Sequence, residues 1–196
     1  NETFLTNVGS KPAGANFYPE DMTKEEFEQL DDTTKTSLYT LIRRDDDGEL
    51  YTVWYHEAYR SQLEKAAALL RKSANLADNE GLKKYLTLRA DALLTDDFLE
   101  SDLAWMDMKT SNIDFVVGPI ENYEDQLYGY KTAYESFILI KDPEWSKRLQ
   151  KFAAMLPDLQ KELPTADKYK KDIPGSNSDL NAYDVVYYRG DCNAGS

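Results

Sequence analysis

Apolar residues recur along this chain with two periods. A spacing of three to four, as in Tyr59, Leu63, Ala66 and Leu70, then Leu82, Leu86 and Leu93, then Leu149, Phe152, Ala153 and Leu156, predicts helices. Short runs rich in β-branched and aromatic residues, at Leu38 to Arg44, Leu50 to Trp54, Ile113 to Val117, Tyr134 to Ile140 and Ala182 to Tyr188, predict strands. Capping residues sharpen the helix boundaries. Thr23-Lys24-Glu25-Glu26 has the form of a capping box, in which the Thr23 hydroxyl and the Glu26 carboxylate satisfy amides of the first turn. Asp96 is the expected N-cap of a helix running to about Met108, and Asp142 followed by Pro143 marks the start of another. Pro157 must kink or restart that last helix, because it lacks a backbone donor and its ring clashes with the preceding turn.

These elements predict an α+β fold, helix-rich with a small mixed or antiparallel β-sheet. The sheet would combine the hairpin around Asp47-Gly48, the strands on either side of residue 125, and the last strand. Residues 1–140 would form one body of helices and sheet, 141–164 a helix entering a second lobe, and 165–196 a linker and a returning strand. The first 22 residues, with Pro12, Gly14 and Pro19, read as an extended surface arm. The strand at Ala182 to Tyr188 runs into a Gly-rich end with no evident partner for its edge, which predicts that the chain continues in a longer protein.

Between the third and fourth strands lies Gly118-Pro119-Ile120-Glu121-Asn122-Tyr123-Glu124-Asp125-Gln126-Leu127-Tyr128-Gly129-Tyr130. Acids and phenols around a Gly-Pro bend, braced by a strand on each side, are the kind of loop on which ligands are bound. The competing reading of the same residues is a polar connection whose tyrosines fold back onto the core.

Composition narrows the partners. The net charge of −13, spread over the whole sequence, disfavours nucleic acid and anionic membrane surfaces. No apolar run approaches the roughly 20 residues that cross a bilayer, and Asn1-Glu2-Thr3-Phe4 lacks a signal peptide's basic and apolar regions. A single cysteine, Cys192, excludes an intramolecular disulfide. With His56 as the sole histidine, the chain lacks the nitrogen and sulfur ligands of a usual zinc site. Asp45-Asp46-Asp47-Gly48 places its acids consecutively, whereas an EF-hand loop alternates them, so it reads as a turn. Asp96, Asp97, Glu100 and Asp102 read as first-turn acids that complement a helix dipole, and His56 as a surface or capping residue. The carboxylates supply no nucleophile and base pair for metal-independent hydrolysis.

Gly118 to Asp125, followed by Gly129-Tyr130-Lys131 and Tyr134-Glu135-Ser136-Phe137, resembles the substrate loop of the dipeptidyl peptidase III family of zinc metallopeptidases, with the bacterial branch most similar. Lys11-Pro12-Ala13-Gly14-Ala15-Asn16-Phe17-Tyr18-Pro19 and Arg189-Gly190-Asp191-Cys192-Asn193 fit the same resemblance. It implies that the fold corresponds to the β-barrel-containing lobe of those two-lobed enzymes. It also implies zinc in the parent enzyme, held by a His-Glu-x-x-x-His helix and a later Glu helix that this sequence does not contain. The chain would then bind no metal itself and would act with the zinc-carrying C-terminal part of the same protein, on peptide substrates from which dipeptides are removed.

In that resemblance Glu121 accepts hydrogen bonds from the substrate's ammonium, Tyr123 directs its phenol at the scissile carbonyl, and Glu135 lines the amino-terminal subsite. Glu135 stands one residue further from Asp125 than in the animal enzymes. Asp125 is expected to fix the loop through backbone amides. An Asn-rich substrate segment of the family would lie just beyond Ser196. The family's cytosolic habit favours the cytoplasm, with export left open for a bacterial branch. The alternative is a freestanding module, without catalysis, whose acidic loop captures a cationic or peptide partner.

Overall fold

The hairpin forms where its turn chemistry places it. Strands β1 (Thr40–Arg44) and β2 (Leu50–Trp54) pair antiparallel, with Leu41 opposite Val53 and Arg43 opposite Tyr51, in a computed structural model that describes residues 11–171 and 180–190. The Asp45 side chain accepts from the amides of Asp47 and Glu49, and the Gly48 amide closes onto the Asp45 carbonyl. The three aspartates are thus a turn.

Among the described residues there are seven α-helices: α1 (Lys24–Gln29), α2 (Tyr55–Ala58), α3 (Arg60–Leu76), α4 (Glu80–Ala92), α5 (Leu99–Asp107), α6 (Pro143–Ala153) and α7 (Leu156–Glu162). Three further strands, β3 (Ile113–Glu121), β4 (Ala133–Asp142) and β5 (Ala182–Gly190), form a separate sheet in the order β3-β4-β5. The hairpin is therefore a two-stranded sheet of its own and does not join the single sheet expected from sequence. Strand β5, expected in the sheet, lies beside β4.

The chain divides into two compact units. The first takes its described residues from Asn1–Ser111, Val116–Ser136 and Arg189–Ser196. Its core begins with Phe17, Tyr18, Phe27, Leu41, Ile42 and Tyr55. Phe17 and Tyr18 correct the view of residues 11–22 as a surface arm: two large aromatic side chains in a Pro- and Gly-rich stretch go inside, because leaving them in water forfeits about 2 kcal/mol each. The Thr23 capping box is present with both of its hydrogen bonds, so α1 starts where the sequence places it. Helices α3, α4 and α5 pack in succession through Leu63, Ala67, Leu70, Leu82, Leu86 and Ala104.

Asp96 departs from expectation. It does not cap α5, whose N-cap is Phe98; its backbone takes the left-handed conformation at φ 58°, and its buried carboxylate lies 3.0 Å from the His56 amide and 2.7 Å from His56 Nδ1. Burial raises the Asp96 pKa, against the pull of the His56 contacts. Asp102 sits in the first turn of α5, as expected, and also forms an ion pair with buried Arg89. Sequence separations of 40 and 13 residues hid both pairs.

The second unit takes Asn112–Phe115 and Phe137–Tyr188. Asp142 caps α6 by accepting from the Trp145 amide at 2.9 Å, with Pro143 in the first turn. The helix ends at Ala153 and α7 begins at Leu156, so Pro157 restarts the chain in a first turn that tolerates it. Within this unit the Phe137 and Tyr188 rings lie 4.9 Å apart, and Ser146 Oγ accepts from the Ala182 amide at 3.1 Å. The expected Pro174-Gly175-Ser176 linker and Asp191 to Ser196, including Cys192, lie outside the described residues.

Candidate functional site

Strand β3 carries the sequence into the candidate loop further than the Gly-Pro pair suggested. Gly118 to Glu121 remain extended, and the loop proper starts at Asn122. Gly118 has φ 143°, and a Cβ there would stand 3.1 Å from Arg89 Nη1 and 3.5 Å from Phe98. The glycine is required by close approach to a floor in which the Arg89 guanidinium lies over the Tyr85 and Phe98 rings.

Beyond Glu121 the backbone folds around one carboxylate. Asp125 is 3% exposed. Its Oδ1 accepts from the amides of Leu127 and Tyr128, each at 3.1 Å, and its Oδ2 from the amides of Tyr130 at 2.9 Å and Lys131 at 3.1 Å. The Tyr18 hydroxyl donates to the same Oδ2 at 2.6 Å. Burial by itself would raise the Asp125 pKa, but the Tyr18 hydroxyl and the amides outweigh it and hold the carboxyl below its usual range. The expected role of Asp125 matches these contacts.

Lys131 continues the anchorage. Its ammonium, fully buried, donates to the carbonyls of Lys35 and Ser37 and to Thr40 Oγ1, at 2.7, 2.9 and 2.8 Å. Desolvation lowers its pKa to about 8 against the attraction of Asp125 and Asp32. Tyr128 and Tyr130 stack against each other and on Phe27, so these two phenols do fold back onto the core. Tyr123 does not: it is 53% exposed.

Glu121 is also exposed, at the end of β3, two residues before Tyr123. Glu135 differs, being 4% exposed within β4. Gly190 of β5 lies against it, and a Cβ there would meet the Tyr134 carbonyl oxygen at 2.6 Å and Glu135 Cα at 2.7 Å. At φ 118° an L side chain is strained as well. Gly190→Ala is therefore expected to push β5 away from Glu135 and to lower stability by about 2–3 kcal/mol. Thermal melting checks this, since a melt within 1 °C of the parent would contradict the crowding.

A cavity of about 530 Å³ lies behind the loop, with Phe17, Tyr55, Tyr59, Leu63, Tyr134 and Glu124 among its lining. None of Glu121, Tyr123 and Glu135 faces it; their chain neighbours Glu124 and Tyr134 do. In β4, side-chain alternation along extended backbone separates Tyr134 from Glu135. Tyr18 and Lys131 were not anticipated as parts of the site. The visible hint for Tyr18 was an aromatic pair inside a stretch otherwise built for turns.

This α+β fold is shared with solved dipeptidyl peptidase III structures. The chain matches the structure of DPP III from Caldithrix abyssi with a TM-score of 0.85 and 47% identity, over 96% of this chain and 37% of that one. It matches dipeptidyl-peptidase III from Corallococcus sp. strain EGB with a TM-score of 0.75 and 33% identity, over 95% of this chain and 36% of that one. Nudix hydrolase 3 of Arabidopsis thaliana is 35% identical over 210 residues, which cover 93% of this chain and 27% of that protein. The sequence pattern of peptidase family M49 matches residues 40–193, and the chain belongs to that family, the dipeptidyl peptidase III family. It spans little more than a third of the solved relatives and about a quarter of the curated one.

Proposed function

We propose that this chain is the N-terminal, substrate-binding part of a dipeptidyl peptidase that removes dipeptides from the amino-terminal end of short peptides. The observation that carries the reading is a rigidly anchored loop presenting two chemically different groups to solvent: Glu121, a carboxylate, and Tyr123, a hydroxyl donor. Glu121 receives the substrate's ammonium through charge-assisted hydrogen bonds, which fixes the distance from the amino terminus to the bond that is cut. Tyr123 donates to the carbonyl oxygen of that bond as negative charge develops on it. Glu135, braced by Gly190, adds a second carboxyl group to the amino-terminal subsite.

Among the described residues, no set of side chains fits a zinc centre. His56 is the sole histidine and its Nδ1 is engaged by Asp96, and the described residues hold no group of three or more His, Cys, Asp or Glu suited to a metal ion. Zinc therefore belongs, in this proposal, to a C-terminal part that completes the enzyme, and this chain contributes recognition and charge stabilisation. Among the described residues no helix is long and apolar enough to cross a membrane.

The test is dipeptide release by the protein encoded in the full reading frame, with and without a chelator, on a peptide and its N-acetylated counterpart. Activity is expected to disappear with chelation and to be much lower on the acetylated peptide. Glu121→Gln is expected to lower kcat/KM on the free peptide by about 30- to 100-fold, the value of one hydrogen bond between charged groups, and to narrow the preference over the acetylated peptide. Equal turnover of both peptides by the parent protein would sink the assignment of Glu121.

A further inference from the structure

The turn that carries Tyr123 is closed by short-range bonds but tied down from a distant part of the chain. Within the turn, the Asp125 amide donates to the Asn122 carbonyl at 3.2 Å, the Gly129 amide to the Asp125 carbonyl at 3.0 Å, and Asn122 Nδ2 to the Gly129 carbonyl at 2.7 Å. Tyr123 and Glu124 are the two residues enclosed. Nothing in these bonds fixes the turn against the body of the protein.

Residues 11–18 do. The Gln126 amide donates to the Ala13 carbonyl at 2.8 Å, Lys11 forms an ion pair with Glu124, and the Tyr18 hydroxyl reaches Asp125 across 107 residues of sequence. Gly14 admits the loop closely enough that a Cβ there would stand 2.7 Å from Leu127 Cδ1. Tyr18 is itself immobilised, 5% exposed, with the Phe27 and Tyr128 rings each 5.9 Å away. Asp125 keeps its amide donors without Tyr18, so the loop would stay folded. What Tyr18 adds is a direct link from the loop's central carboxylate to the core, beside the Lys131 ammonium and the Tyr128 and Tyr130 rings on Phe27.

We propose that Tyr18 is a positioning residue for the peptidase reaction, acting through Asp125 to hold the Tyr123 phenol in register with the scissile carbonyl. The inference rests on the role proposed for Tyr123. A hydroxyl donor that must meet a carbonyl oxygen within hydrogen-bonding distance loses most of its effect when displaced by about 1 Å. The local turn cannot supply that precision, because its bonds move with it.

The experiment is a double-mutant cycle in the full-length protein, joining Tyr18→Phe with Tyr123→Phe. Tyr18→Phe is expected to lower kcat about tenfold with KM little changed, the signature of an interaction expressed in the transition state. In the Tyr123→Phe background the same substitution should change kcat by less than about twofold, since the group it positions is gone. An equal factor in both backgrounds would overturn the proposal and leave Tyr18 a general stabiliser. If Tyr123→Phe alone leaves kcat unchanged, the role given to Tyr123 fails, and the inference fails with it. Lys11→Gln, at the half-exposed end of the same tether, repeats the cycle should Tyr18→Phe not fold, with a smaller loss that must again vanish without the Tyr123 hydroxyl.

Discussion

Tyr123→Phe, introduced into the full-length protein, is expected to lower kcat by about 10²- to 10³-fold. The magnitude is that of removing one preorganised donor from developing oxyanion charge, and it depends on water being excluded around the donor. In this chain Tyr123 is 53% exposed. A hydroxyl that stayed so solvated through the reaction would be worth only about 1 kcal/mol, or roughly fivefold. The size of the loss therefore reports more than the identity of the donor: a factor of 100 or above requires the substrate and the rest of the enzyme to cover the phenol. Steady-state kinetics on a dipeptide-releasing substrate gives the answer, and a kcat within twofold of the parent would remove Tyr123 from the mechanism.

Asp125→Ala is expected to have the largest effect on stability. It strips the acceptor from the Tyr18 hydroxyl and from four backbone amides in a site that is 3% exposed to water. Each buried donor left without a partner costs about 1–3 kcal/mol, and partial entry of water brings the sum to about 4 kcal/mol. For a chain of this size that lowers the melting temperature by about 10 °C. Thermal denaturation of the variant within 2 °C of the parent would show that the loop finds other acceptors.

The same carboxylate gives the fold an acid limb of known sign. The Asp125 pKa is lowered in the folded state, so the stability it contributes is complete above the unfolded value of about 3.9 and is lost as pH falls through the lower folded value. Asp125→Ala should flatten that limb. Tyr18 works at the opposite end: burial first, and then its bond to Asp125, raise its pKa. Its contribution is full below the unfolded value of about 10 and falls as pH rises beyond it.

The helices and caps were legible because their signals are local. Thr23 and Asp142 each cap the helix that follows within three residues, and each is where periodicity and turn chemistry place a boundary. The candidate loop was legible as a loop, and Glu121 and Tyr123 as its exposed chemistry. Asp96 was misread because a helix-capping aspartate and a buried partner of a distant histidine have the same local sequence. The hairpin was assigned correctly as a hairpin and wrongly as part of a larger sheet, since strand pairing within a turn is local and pairing between hairpins is not.

The sequence by itself determined the class of the fold, most element boundaries, and the two exposed groups of the loop, since each of these follows from residues a few positions apart. Only the tertiary structure decided what holds that loop in place. The Tyr18 to Asp125 bond, the Lys131 ammonium capped by Lys35, Ser37 and Thr40, and the seat of Gly190 against Glu135 join residues 55 to 107 positions apart. Such contacts form only when a buried polar group must find a partner or lose its hydration without compensation, and nothing in local spacing says which partner it will find.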